Sequence, residues 1–168
     1  MDIDYLLVIV SWLLVINMRN FKDPLTYALY LVELRDRSVG EVEEKMRRKK
    51  FGEKEIAEVI SFLESKNFVN DQRFAERFVR EKQELQHWGQ YRIKSELKRK
   101  HISDELINEI LSTQSDNTEI DAAREAADLW RRKNPNCPKE KIYQRLGAFL
   151  SRRGFSYDVV KEILNSDL

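Results

Sequence analysis

The sequence predicts an all-α protein of three tandem three-helix repeats, forming an elongated curved array. Three observations predict it. Of 168 residues only 5 are Gly and 3 are Pro, while 35% are charged and 42% hydrophobic, which favours helices with solvated faces over sheets. The hydrophobic residues recur at helical spacing rather than in alternation. Six apolar positions also return twice. A shift of 51 residues carries Val42, Met46, Phe51, Ile56, Val59 and Ile60 onto Ile93, Leu97, Ile102, Ile107, Ile110 and Leu111. A further 53 carries them onto Leu146, Leu150, Phe155, Val160, Ile163 and Leu164. Such self-similarity is the mark of a repeat protein, whose units are too small to bury a full core alone.

The elements follow in order. Asp23-Pro24 opens the first helix, Asp as cap and Pro pre-set for the first helical position; Ala28, Leu31 and Leu34 then share a face. Ser38-Val39-Gly40-Glu41 has the pattern of a capping box. Gly52 caps the third helix, with Phe51 before it and Ile56 at the fourth helical position to close a hydrophobic staple. Ile102-Ser103 with Ile107, and Phe155-Ser156 with Val160, repeat that junction. Asn70-Asp71 caps the first helix of the second repeat, with Phe74, Ala75, Phe78 and Val79. Asn117-Thr118 precedes the first helix of the third, with Ile120, Ala123, Ala127 and Trp130. Loops are expected at residues 112–117 and at Asn134-Pro135-Asn136-Cys137-Pro138, where Pro138 opens a helix. The expected divisions are an apolar segment at 1–20, then repeats at 21–69, 70–114 and 115–168.

The apolar run from Tyr5 to Ile16 is too short for a typical membrane span and has no basic residue before it. Burial, or a start placed too early with Met18 as the alternative, is the expectation, and no membrane association is expected. The single cysteine, Cys137, excludes an intrachain disulfide and fits a reducing, cytoplasmic setting. His87 and His101 have no ligand partners at helical spacing.

No phosphate-cradling glycine loop, nucleophile elbow or paired carboxylates in an apolar setting are present, so no catalytic, cofactor-binding or metal-binding residue is assigned and no enzyme is expected. The non-random charge lies at helix ends: Arg47, Arg48, Lys49 and Lys50; Lys98, Arg99 and Lys100; Arg152 and Arg153; and Arg131 and Arg132. Cations there complement the helix dipole. Their density also suits a basic stripe that meets DNA phosphates or an acidic protein groove, and both readings stand. Trp88 and Tyr91, beside Arg92 and Lys94, read as packing residues at a repeat junction before they read as a base-stacking platform. A helical DNA-binding transcription regulator is the alternative function. Lys and Arg (30) barely outnumber Asp and Glu (29), and Glu53, Glu55 and Glu58 lie on its candidate recognition helix, which counts against it.

Four segments in order resemble the RecX family. They are Tyr27 to Leu31 followed by Arg35, Arg37 and Ser38; Asp71, Arg73, Phe74 and Ala75; Gly89, Arg92 and Ile93; and Arg152, Arg153, Gly154 and Phe155. The resemblance runs from about Leu25 to Leu164. It implies three tandem three-helix repeats, in agreement with the periodicity. It further implies a regulator, expected as a monomer without cofactor, that binds RecA protein and its single-stranded-DNA filament. Such a protein mostly inhibits filament growth, ATP hydrolysis and strand exchange in recombination, DNA repair and the SOS response, and some members also touch DNA. One departure is His101, where the family commonly has glycine; an altered turn is expected there.

Overall fold

The computed structural model describes residues 22–113 and 116–166, without the side chains of 116 and 117. The apolar stretch at 1–20 lies outside the described residues. Among these residues there are nine helices and no strand: α1 (Pro24–Leu34), α2 (Val39–Arg48), α3 (Glu53–Ser65), α4 (Asp71–Glu84), α5 (Gln90–Arg99), α6 (Asp104–Ser112), α7 (Asp116–Lys133), α8 (Lys139–Arg153) and α9 (Tyr157–Asn165). Three successive three-helix repeats are therefore present. None of the described helices is long and apolar enough to cross a membrane.

The caps form where the chain chemistry demands them. Asp23 accepts from the Thr26 amide at 2.7 Å with Pro24 at the first helical position. Ser38 and Glu41 complete a capping box on α2. Ser103 and Ser156 accept from the Leu106 and Val159 amides, both at 3.3 Å. Gly52 has no side chain to offer, so only the return half of the box exists on α3, with Glu55 accepting from the Gly52 amide at 2.8 Å.

The chain divides after Phe74 into two compact units. In the first, α1, α2 and α3 enclose Ala28, Leu31, Val42, Met46, Ile56, Val59, Ile60, Leu63 and Val69. In the second, α7, α8 and α9 enclose alanines 122, 123, 126 and 127 with Leu146, Leu150, Phe155, Val160, Ile163 and Leu164. The small alanines let α7 lie close to its partners. The middle repeat buries Val79, Ile93, Leu97, Ile102, Ile107 and Ile110. All eighteen recurrent apolar positions are buried except Phe51 and Leu111, which are partly so.

Three details differ from the sequence reading. Leu34 is 58% exposed, because α1 ends there and the chain turns extended at Arg35. Helix α7 spans Asp116–Lys133, so Asn117 and Thr118 lie within it rather than before it. Histidine at 101 does not alter its turn. Lys50, His101 and Gly154 hold equivalent positions and are all left-handed, at φ 70°, 62° and 85°. After each comes the same bond back into the helix: Phe51 to Met46 (3.3 Å), Ile102 to Leu97 (3.1 Å) and Phe155 to Leu150 (3.3 Å), a Schellman closure in three copies. The shared backbone imposes the conformation, and histidine bears its strain.

Repeat junctions and the candidate partner-binding surface

The residues that carry the family resemblance are occupied with the fold. Arg37, 8% exposed, donates Nε to the Leu31 carbonyl at 2.8 Å and so closes the end of α1. Arg35 pairs with Glu41 at 2.8 Å, bracing the capping box of Ser38. Arg73 donates to the Asn67 carbonyl at 3.1 Å, tying α4 to the turn that ends α3. Phe74 and Ala75 are core.

Asp71, the first residue of α4, accepts from the Val39 amide at the start of α2 at 2.8 Å. Glu119, in the first turn of α7, does the same for the Gln90 amide at the start of α5, at 3.2 Å. The opening helix of one repeat thus caps the middle helix of the repeat before it. Such an acceptor satisfies a donor that the helix itself leaves unpaired. Burial pushes the Asp71 carboxyl above the ordinary aspartate value, and Glu64, Glu43 and Glu41 add to the rise, while the bond from Val39 opposes it.

The second and third repeats meet backbone to backbone. Gly89, the N-cap of α5, donates to the Arg153 carbonyl at 2.9 Å, and Tyr91 donates to Gly154 at 3.0 Å. Arg153 closes the contact by donating to the Gln86 carbonyl. A Cβ at Gly89 would stand 2.2 Å from the Gly154 oxygen, and one at Gly154 would stand 2.4 Å from the Arg92 amide nitrogen. Gly89, Arg92, Gly154 and Phe155 are therefore one junction, although 65 positions separate the two glycines. His87, beside it and left-handed at φ 48°, lies 2.9 Å from Glu125 of α7.

Five of the eleven helix-end cations pair with acids. Arg47 pairs with Glu43 (3.2 Å) and Glu53 (2.9 Å), and Arg48 with Glu44. Lys98 pairs with Asp104 (2.7 Å), Arg99 with Glu96 (3.2 Å) and Arg131 with Asp128 (2.9 Å). These pairs are largely exposed, and solvent screening together with side-chain entropy leaves such pairs weak. Lys49 lies 6.0 Å above the Tyr27 ring. Lys50, Arg132 and Arg152 are exposed.

A further basic cluster gathers two helix-end cations, Lys100 and Arg153, with Lys82 and Arg92 around Trp88, Phe78 and Phe149. Trp88 packs edge-on against Phe78 with ring centres 6.4 Å apart. The Arg92 guanidinium sits 3.9 Å over the indole, and Lys82 lies 5.5 Å from it and 5.2 Å from Phe78. Lys100 is 5.6 Å from Phe78, and Arg153 is 5.0 Å from Phe149. The four-residue spacing from Phe78 to Lys82 is a signal legible in the sequence; the approach of Arg153 is not. Trp88 packs as expected, whereas Tyr91 is 67% exposed. Burial, with Arg92 adding repulsion, pushes the Arg153 guanidinium below its ordinary value.

Fold and junctions define a tandem three-helix-repeat protein in which the first turn of a following helix caps an earlier one. The first, second and third three-helix domains of RecX match residues 25–63, 70–111 and 117–164 respectively. The regulatory protein RecX of Clostridium acetobutylicum is 36% identical over 170 residues, covering 97% of this chain and 74% of that one. That of Clostridioides difficile is 36% identical over 138 residues, and the chain spans 65% of its length. The crystal structure of RecX from Lactobacillus salivarius superposes with a TM-score of 0.74 at 25% identity, covering 85% of this chain and 93% of that one. The chain belongs to the RecX family.

Proposed function

We propose that this protein regulates the RecA recombinase, binding RecA and its filament on single-stranded DNA and restraining filament growth, ATP hydrolysis and strand exchange. The observation that carries this reading is the presence of all three RecX domains in order, in a family whose members bear the name of a regulatory protein. The protein acts by occupying surface and not by catalysis, as a cytoplasmic monomer without a cofactor.

The helix-end cations make the partner contacts: Arg47, Arg48, Lys49, Lys50, Lys98, Arg99, Lys100, Arg131, Arg132, Arg152 and Arg153. Their exposed ion pairs are weak enough to be exchanged for acids of a partner. Seated along the filament groove, the protein obstructs addition of RecA protomers and the ATP-linked changes of the filament.

The test is single-stranded-DNA-dependent ATP hydrolysis by the cognate RecA with this protein titrated in. A substoichiometric fall supports regulation at growing ends, and a fall near saturation supports occupation along the filament. Unchanged hydrolysis, without co-sedimentation on filaments, refutes the reading.

A further inference from the structure

A groove of about 710 Å³ runs between α4 and α7 in the second compact unit. Glu76, Arg80 and Glu84 follow one another at four-residue intervals on α4, and Asp121 and Glu125 do so on α7, so each helix presents one charged face to the groove. Gln83 and Ala122, both buried, form its floor. The lining therefore carries four carboxylates and one guanidinium. Asp121 also pairs with Arg124 at 3.2 Å, and Glu125 lies 2.9 Å from His87. Exposed carboxylates are well solvated, so their number alone assigns nothing to the groove.

Gln83 supplies the second observation. It is only 5% exposed, and its amide nitrogen Nε2 is buried without a hydrogen-bond partner among the described residues. Buried donors are almost always paired, because an unpaired one has lost its water for nothing. An apolar side chain would fill the same place without that cost. The amide calls for an acceptor, and the carboxylates around it call for cations.

We propose that this groove docks an extended lysine- or arginine-rich segment of a partner protein. A backbone carbonyl of the segment accepts from Gln83, and its cations meet Glu76, Glu84, Asp121 and Glu125. A peptide brings both halves of what the groove lacks. A polyamine has cations but no acceptor, and a nucleic acid would bring phosphates against four carboxylates. Length agrees as well. Glu76 and Glu84 stand about 12 Å apart along the axis of α4. Cations three or four residues apart on an extended chain, about 10–13 Å, reach both. The groove is opposite in charge to the helix-end cations assigned to RecA, and the proposal does not depend on that assignment.

The test is fluorescence anisotropy of a labelled nonapeptide amide made of three arginine-alanine-alanine repeats, titrated with the full chain in the absence of RecA. Glu84→Gln with Glu125→Gln should weaken binding at least tenfold. Glu43→Gln with Glu44→Gln, acids of α2 outside the groove, should change it less than twofold. Gln83→Leu should weaken binding at least threefold while its urea midpoint stays at or above that of the wild type, since an unpaired buried donor is removed. A purely structural Gln83 would give the opposite pattern, a lower midpoint with affinity kept, and that result overturns the proposal. Circular dichroism checks that each variant is folded. Equal binding by the folded Glu84 and Glu125 double variant and the wild type overturns the site, as does wild-type protein that binds no peptide. Displacement of the peptide by spermine at equal charge overturns a peptide in favour of any small polycation. RecA ATP hydrolysis plays no part in these measurements, so their failure leaves the RecA reading standing.

Discussion

Gly89 and Gly154 touch through their backbones, so closely that a side chain on either would collide with the chain beside it. The contact joins the start of α5 to the turn between α8 and α9 and locks the second repeat onto the third. Gly89→Ala should destabilise the protein by about 1–3 kcal/mol, the usual range for overpacking a fitted site. Gly154→Ala should be more destabilising still, because its φ of 85° adds left-handed strain to the collision. Chemical denaturation of both variants checks the order.

His101 has the same left-handed backbone as Gly154 but carries a side chain there. His101→Gly should therefore stabilise the protein. Relief of left-handed strain is worth about 1–2 kcal/mol. The added freedom of the unfolded chain takes back about 0.4–1 kcal/mol. A rise in the urea midpoint is expected, and a fall would show that the imidazole makes an interaction worth more than the strain.

Asp71 gives stability a pH dependence of definite sign. Its carboxyl holds a proton more tightly in the folded chain than in the unfolded one. The folded state then binds more protons between the two values, so this group's contribution is full at lower pH and is lost as pH rises through the raised value. Asp71→Asn keeps an acceptor for the Val39 amide and should flatten that dependence, without loss of stability at neutral pH. Asp71→Ala removes the acceptor and should cost about 1 kcal/mol. Urea titrations of the three proteins at several pH values decide it.

Arg37 should behave as a structural residue. Its buried bond to the Leu31 carbonyl is charge-assisted, and loss of such a bond costs about 1.5–3 kcal/mol. Arg37→Lys should recover only part of this, because an ammonium does not reproduce the direction of Nε. Thermal melts of Arg37→Ala and Arg37→Lys give the comparison.

Charge reversal of Arg47, Arg48 and Arg99 together should weaken inhibition of RecA ATP hydrolysis while helicity is kept. Each exposed pair with Glu43, Glu44, Glu53 or Glu96 contributes too little for its loss to unfold the chain. Unchanged inhibition would show that these cations are dipole complements only.

The sequence alone determined the helices, their caps and the repeat. Helical periodicity and capping are local rules, so Ser38, Ser103, Ser156 and the eighteen recurrent apolar positions could be placed without knowing what they touch. Where a rule is local but its outcome depends on the next turn of chain, as at Leu34 and Asp116, periodicity misses by a residue or a face. Tertiary structure decided which acid caps which helix, since nothing in the spacing of Asp71 from Val39, or of Glu119 from Gln90, announces a bond. It decided that Gly154 must be glycine while position 101 accepts histidine, because the chain at Arg92 passes within 2.4 Å of where a Cβ on Gly154 would stand. It also decided the state of the cations. Arg47 and Arg153 look alike at the ends of their helices, yet one is paired with acids and the other lies half-buried against a ring and beside Arg92. Charge is written in the sequence, but its neutralisation depends on distances that only packing sets.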